Sequence, residues 1–267
     1  MSDAATRYAE PVHTGLGVNA VVMGLVMFFV FFGGSSQRIT GMGFSLVAAP
    51  FLVIVLGPVS GVLIANLCGG TSSMMILSRV WADVEWRKVA VLLPAAFVGL
   101  GIGIGVAKAT PIAWLEIIIG LMVAISLSIS LLIRSRRHIS GTVPLATTGV
   151  FSGLMSYTAG VGGPAVSVYA VLSNWPQTKF AATVQPYFAV TAFSAVLGKY
   201  LFIEGSVPTL QWWIWALIGG ALLSGVAFGD WASRRVKPAQ ARTALIVVAY
   251  CGSLLTVCKG AIDLLGT

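Results

Sequence analysis

Long apolar runs are the feature that most restricts the fold of this chain. Ten apolar segments follow one another with only short polar connections between them: 16–33, 42–56, 58–78, 89–107, 112–133, 143–158, 164–174, 179–202, 211–229 and 241–263. A membrane-spanning helix needs about 20 apolar residues, and several segments reach that length. Only 9% of the residues are charged, whereas soluble domains carry about 25%. The pattern predicts an all-α polytopic membrane protein and excludes an ordinary soluble enzyme.

The basic residues predict how the chain is oriented. Of the 16 Lys and Arg residues, 12 lie in the odd-numbered connections between segments, and the N-terminus, the even connections and the C-terminus share the other four. Because basic connections are retained in the cytoplasm, we expect the odd connections inside and both termini outside a cell membrane. We interpret residues 1–15 as a polar N-terminal tail. The net charge of +8 is explained by this orientation, so no nucleic-acid partner is predicted.

Two pairs of neighbouring segments contain short members next to glycine clusters. If 42–56 completed a broken crossing begun by the first segment, and 164–174 one begun by the sixth, basic connections would fall on opposite sides of the membrane. We therefore expect each pair to leave on the side where it entered, either as two short crossings or as a re-entrant hairpin.

The two halves of the chain resemble each other. Gly41-Met42-Gly43-Phe44 follows the first segment, and Gly160-Val161-Gly162-Gly163 follows the sixth. Asn66 and Gln185 each come 23 residues after the matched glycines Gly43 and Gly162, and Gln37 and Arg38 match Ser156 and Tyr157. Later, Gly101-x-x-x-Gly105 resembles Gly225-x-x-x-Gly229. We divide the chain into repeats of five segments each, 16–139 and 140–267. Since five is odd, the repeats are predicted to be inverted, as in many secondary transporters.

The matched glycine breaks predict an anion site. Non-helical backbone at membrane depth occurs where it is buried in protein or lines a watery cavity, and a helix that starts there directs its free amides at a ligand. The alternative is that the glycines only allow close helix packing. Asn66 and Gln185 would face the breaks from other helices, or would only bridge helices. Arg38 would attract the anion, or would only anchor the chain in the cytoplasm. The candidate substrate-binding residues are Arg38, Gly41, Gly43, Asn66, Gly160, Gly162, Gly163 and Gln185.

Catalytic and cofactor chemistry is not predicted. The sequence contains no Gly-x-Ser-x-Gly elbow and no P-loop, and neither histidine has a neighbour at a spacing that suits a metal ligand. We expect no enzyme activity, no cofactor and no metal. Glu116 lies near the start of the fifth segment. It is either a proton carrier or, as its position favours, a solvated or paired carboxylate at the interface.

From Gly17 to Ala261 the chain resembles the TauE/SafE sulfite exporter family of integral membrane proteins. That family carries a twice-repeated Gly-x-Gly-Gly stretch followed by a proline. The first copy here runs from Gly41 to Pro50, with Phe44 in place of a glycine. The second runs from Gly160 through Pro164, with Tyr169 at the place of the later proline. The resemblance implies export of sulfite or sulfonates driven by an ion gradient, with a proton or another cation as coupling ion.

Together these features predict a secondary transporter that exports a small sulfur-containing anion by alternating access. Two alternatives stay open from the sequence. The same helix starts would attract a small organic carboxylate, and a membrane scaffold that transports nothing would have a similar composition without needing matched glycine breaks.

Overall fold

The structure is a computed structural model that describes residues 20–40, 43–132, 139–203, 206, 208, 210–233, 235 and 238–265. These residues form helices joined by short connections, with no strand among them. In chain order the helices are α1 Ala20–Thr40, α2 Gly43–Val80, α3 Trp86–Ala109, α4 Ile112–Leu132, α5 Thr142–Ala159, α6 Gly163–Leu172, α7 Gln177–Phe202, α8 Trp212–Ser233 and α9 Pro238–Leu265. A short 3₁₀ helix, Trp81–Asp83, follows α2.

Six of the described helices are long and apolar enough to cross a membrane, namely those over Ala20–Ile39, Phe44–Asp83, Trp86–Ala109, Gln177–Phe202, Trp212–Ser233 and Ile246–Leu265. Many large apolar side chains on them, such as Phe28, Leu197 and Leu255, are exposed on the outside of the bundle. Bulky apolar side chains facing outward suit lipid as the surrounding solvent. The predicted fold class, an all-helical polytopic membrane protein, is confirmed.

The predicted boundary between the second and third segments is confirmed at Gly57. This residue interrupts α2 with φ 78° and ψ 166°, a backbone conformation that glycine adopts without a steric penalty. The first segment was predicted to end at residue 33, but α1 continues to Thr40. The small polar residues in this last part remain helical because their hydroxyls bond back to the helix, as Ser36 Oγ does to the Phe32 carbonyl at 2.6 Å.

Both short-segment pairs return to the side from which they came. In the first pair the rings of Phe29 and Phe51 stack at 4.2 Å, so α1 and the first part of α2 run side by side. In the second pair the amide of Ile139, which precedes α5, donates to the carbonyl of Leu172 at the end of α6 at 2.9 Å. The connections before α5 and after α6 therefore lie at the same end of the bundle, as predicted for a hairpin.

Ion pairs bring several odd-numbered connections together at one end of the bundle. Asp230 pairs with Arg38 and, at 2.6 Å, with Arg79 Nη1, and Lys179 Nζ lies 2.9 Å from Asp83 Oδ1. These five residues belong to the first, third and seventh connections and to the start of the ninth. The described residues of these connections thus lie at one face of the bundle, which agrees with the charge count.

Glycine contacts between helices follow the predicted repeat. In two crossings, α1 on α8 and α5 on α3, a Cβ added to a glycine would press against a backbone carbonyl of the facing helix: Gly34 against Leu222, Gly225 against Phe31, Gly153 against Ala96 and Gly99 against Val150. Adding 119 to the residue numbers of the α1 pair, Phe31 and Gly34, gives the α5 pair, Val150 and Gly153. Adding 126 to those of the α3 pair, Ala96 and Gly99, gives the α8 pair, Leu222 and Gly225. The division into 16–139 and 140–267 stays a prediction, and these reciprocal crossings support it.

One register within that repeat was predicted wrongly. Gly225 and Gly229 correspond to Gly99 and Gly103, which contact α5, and not to Gly101 and Gly105, which have no atom within 4 Å of an added Cβ. The error arises because the four glycines of α3 lie at every second position, so several overlapping Gly-x-x-x-Gly pairs can be aligned with Gly225 and Gly229. A step of two residues turns the helix by about 200°, so it exchanges the buried face for the exposed one.

Candidate functional site

The second glycine cluster forms a sharp turn between α5 and α6. Gly160 adopts a left-handed conformation (φ 70°), and its amide donates to the Ser156 carbonyl at 3.1 Å. The next amide, that of Val161, donates to the Met155 carbonyl at 3.3 Å, which completes a glycine-terminated helix end. Helix α6 then begins at Gly163 with Pro164 in its first turn, where proline costs no hydrogen bond.

The first glycine cluster lies against the same region. Helix α2 begins at Gly43, and Phe44 and Ser45 occupy its first turn. A Cβ added to Gly69, which belongs to the later part of α2, would lie 3.2 Å from Ser45 Oγ. The absence of a side chain at Gly69 therefore lets the start of α2 approach its own later turns.

A pocket lies where the starts of α2 and α6 meet. It has a volume of about 390 Å³ including its open mouth, and it is lined by Gln37, Phe44, Ser45, Asn66, Gly69, Ser73, Ser156, Gly160, Val161, Gly162, Gly163, Phe188, Thr191 and Ala192. The predicted convergence of two helix starts is thus present in the structure, and both halves of the chain contribute to the lining.

Two side-chain amides face this pocket from α2 and α1. Asn66 Nδ2 donates to the Ser156 carbonyl at 3.0 Å, and Ser156 Oγ donates to Asn66 Oδ1 at 3.4 Å. Gln37 Nε2 donates to Ser73 Oγ at 2.7 Å. Asn66 thereby bridges two helices and also lines the pocket, so the two roles considered for it from the sequence are not exclusive.

Four of the eight predicted site residues line the pocket: Asn66, Gly160, Gly162 and Gly163. Gly43 starts the helix whose next residue, Phe44, belongs to the lining. Gly41 lies outside the described residues. Whether any of them contacts a substrate stays a prediction.

Arg38 and Gln185 lie away from the lining. Arg38 forms an ion pair with Asp230 of α8, a carboxylate that it shares with Arg79, so its guanidinium is engaged outside the pocket lining. Gln185 is fully buried, and its Nε2 donates to the Ala181 carbonyl on its own helix at 2.8 Å. Phe188 of α7 is the counterpart of Gly69 of α2 in the repeat, and both residues line the pocket. The two repeats therefore shape the pocket with different side chains.

Sequence reasoning missed several lining residues, among them Gln37, Ser45, Ser156 and Thr191. One available signal was the match between Gln37 and Ser156 across the repeat, since both lie in the pocket although only their positions were compared. A second signal was the spacing of seven residues between Asn66 and Ser73, which places both on one helix face, and Ser73 also lines the pocket.

The lining residues contain no ionisable side chain. The polar groups at the pocket are neutral amides, hydroxyls and the backbone at the starts of two helices, where partial positive charge accumulates. Such a set suits a small anion that binds reversibly. No group of three or more His, Cys, Asp or Glu that could hold a metal occurs among the residues that the structure describes.

Glu116 lies elsewhere, between α4 and α9. Its side chain is fully buried, and Lys259 Nζ donates to Glu116 Oε1 at 2.5 Å. The solvated carboxylate considered from the sequence is therefore wrong, and the paired carboxylate is confirmed. The start of α4 is covered because Gly260 of α9 packs directly against Ala113 and Glu116.

Comparison with known protein families gives a match over most of the chain. A protein-family model described as sulfite exporter TauE/SafE matches residues 26–256, which is most of the chain. No curated protein and no solved structure matches. The matched range includes both glycine clusters and every residue that lines the pocket.

Proposed function

Because the chain belongs to the sulfite exporter TauE/SafE family, we propose that it exports sulfite or an organosulfonate across the cell membrane through the pocket between α2 and α6. The family is one of membrane transporters, so the polytopic fold and the transport function agree. The substrate, its route and the driving ion are parts of this proposal. A proton or another cation supplies the gradient.

The observation that carries the proposal is the convergence of two helix starts on a pocket without ionisable side chains. Free amides at these starts donate to an anion, and the helix dipoles favour its negative charge. A buried arginine in the same place would form stronger, charge-assisted bonds and slow release. Neutral donors give the moderate affinity that a transporter needs to bind and release its substrate in each cycle.

Alternating access requires the pocket to open toward each side in turn. In transporters with inverted repeats the two halves exchange conformations around a site at their interface. The reciprocal glycine crossings between α1 and α8 and between α5 and α3 support this mechanism. We propose that rearrangement at these crossings moves the two helix breaks relative to the rest of the bundle.

Flux through reconstituted vesicles tests the proposal. We expect the protein to move sulfite and small sulfonates faster than empty vesicles do, and to move carboxylates such as acetate much more slowly. An imposed pH gradient should increase sulfite flux if a proton is the coupling ion, and a sodium gradient should do so if sodium is. Equal flux of carboxylates and sulfonates would favour the organic-acid alternative, and no flux above empty vesicles would overturn transport.

The orientation in the membrane is a further part of the proposal: the basic connections lie in the cytoplasm and both termini lie outside. In a protein whose three native cysteines are replaced by alanine, cysteines introduced singly at Ser135 and Ala239 should react with an impermeant reagent only from the cytoplasmic side. A cysteine at Gln211, between α7 and α8, should react only from outside. If the cysteines introduced at Ser135 and Ala239 reacted from opposite sides of the membrane, the proposed orientation would be contradicted.

A further inference from the structure

Gln37 has one amide atom without a partner. Its side chain is 2% exposed and lines the pocket. The nitrogen, Nε2, donates to Ser73 Oγ at 2.7 Å, whereas the oxygen, Oε1, has no hydrogen-bond partner.

A buried acceptor without a partner is unfavourable, because it has lost its water and gained nothing in exchange. Native proteins contain few such atoms, and those present often mark a ligand or a functional site. Since Gln37 borders the pocket, a bound molecule is the natural source of the missing donor.

Three other polar side chains around the pocket are already engaged. Ser156 Oγ and Asn66 bond to each other, and Thr191 Oγ1 donates to the Tyr187 carbonyl at 2.9 Å. The starts of α2 and α6 offer donors from their backbone amides. Gln37 Oε1 thus adds an acceptor to a pocket whose helix starts supply donors.

We propose that Gln37 accepts a hydrogen bond from the substrate, so that the pocket prefers anions that carry an O–H or N–H donor beside the negative group. The preferred class is then sulfonates with a hydroxyl or ammonium group, and protonated hydrogensulfite in preference to the sulfite dianion. This inference rests on the proposed function, and it adds a requirement on the chemistry of the substrate.

Two ligands that differ by one hydroxyl test the inference: 2-hydroxyethanesulfonate and ethanesulfonate. We expect the purified full-length protein to bind the hydroxylated ligand about tenfold more tightly in a calorimetric titration, since one hydrogen bond to an otherwise unsatisfied buried group is worth about that much. Gln37→Met keeps the length and volume of the side chain but removes the acceptor. It should show almost no preference between the two ligands.

Ser35→Ala is the matched control. Ser35 is a buried polar residue on the same helix and bonds to Phe31 and Gly225 outside the pocket, so this variant should keep the tenfold preference. Ser73→Ala provides a second test if Gln37→Met does not fold, because it frees the Gln37 amide to rotate and should reduce the preference.

Equal affinity of the unaltered protein for both ligands would overturn the inference, and so would an undiminished preference in Gln37→Met. If the two sulfonates bind equally while sulfite is still exported, the inference alone fails. If no sulfonate binds and sulfite is not exported, the proposed function fails with it.

Discussion

Replacing Gly162 with valine is expected to abolish substrate binding. A Cβ at this position would lie 2.8 Å from Ser152 Oγ and 3.0 Å from the Ser152 carbonyl oxygen. Ser152 Oγ also donates to the Gly162 carbonyl at 2.7 Å, which holds the turn against α5. The φ of Gly162 is −83°, so valine is not excluded by backbone conformation, and the effect arises from contact alone.

The valine methyl groups would push the turn away from α5 and displace the start of α6 from the pocket. Each hydrogen bond lost to a charged ligand costs about 1.5–3 kcal/mol, so the loss of two or more donors should lower the affinity for sulfite or sulfonates about a hundredfold or more, or to below detection. Gly219→Val is the matched control, because a Cβ at Gly219 meets no atom within 4 Å. The measurement is ligand titration of both purified variants, with size-exclusion profiles to verify folding. Normal affinity in Gly162→Val would place the substrate elsewhere.

The helical segments could be predicted from the sequence because membrane helices are encoded locally. A run of apolar residues specifies a helix without reference to the rest of the chain, and Gly57 marks a break by its own conformational freedom. The same local logic located both glycine clusters and Asn66. These features depend on residues close together in the chain.

The partners of polar side chains could not be predicted in this way. Arg38 pairs with Asp230 from α8, and Gln185 bonds back to its own helix, so neither extends into the pocket lining. Repeat symmetry suggested that Asn66 and Gln185 have equivalent roles. The repeats have diverged in their side chains, however, and Ala192 stands in α7 where Ser73 stands in α2. Backbone symmetry predicts where a helix lies better than it predicts which side chain occupies a site.

The glycine register on α3 illustrates the same limit at a helix crossing. Four glycines, Gly99, Gly101, Gly103 and Gly105, alternate along one helix, and composition does not reveal which two face protein. Only the structure separates them: Gly99 and Gly103 contact Val150 and Tyr157 of α5, and the other two face outward. In a membrane the hydrophobic effect does not favour protein contacts over lipid contacts, so close packing at small residues determines where two helices cross.

Gly99→Val is therefore expected to separate α3 from α5 at their crossing, whereas Gly101→Val, two residues away, should be tolerated. A Cβ on Gly99 would overlap the Val150 carbonyl and lie 2.8 Å from the Leu154 amide nitrogen, and backbone atoms cannot rotate away as a side chain can. We expect the free energy of unfolding to fall by about 3 kcal/mol or more, which corresponds to a melting temperature about 10 °C lower for a chain of this size.

The repeat provides a second, independent arm of this experiment. Gly225 is the counterpart of Gly99 and would overlap the Phe31 carbonyl, whereas an added Cβ at Gly220 meets nothing within 4 Å. Gly225→Val should therefore be as destabilising as Gly99→Val, and Gly220→Val as mild as Gly101→Val, in thermal unfolding of the detergent-solubilised protein. If Gly101→Val destabilised the protein as much as Gly99→Val, the original pairing of Gly101 with Gly225 would be restored. The reciprocal crossings would then lose their support for two equivalent halves, because that equivalence depends on Gly99 and Gly225 occupying the same place in each repeat.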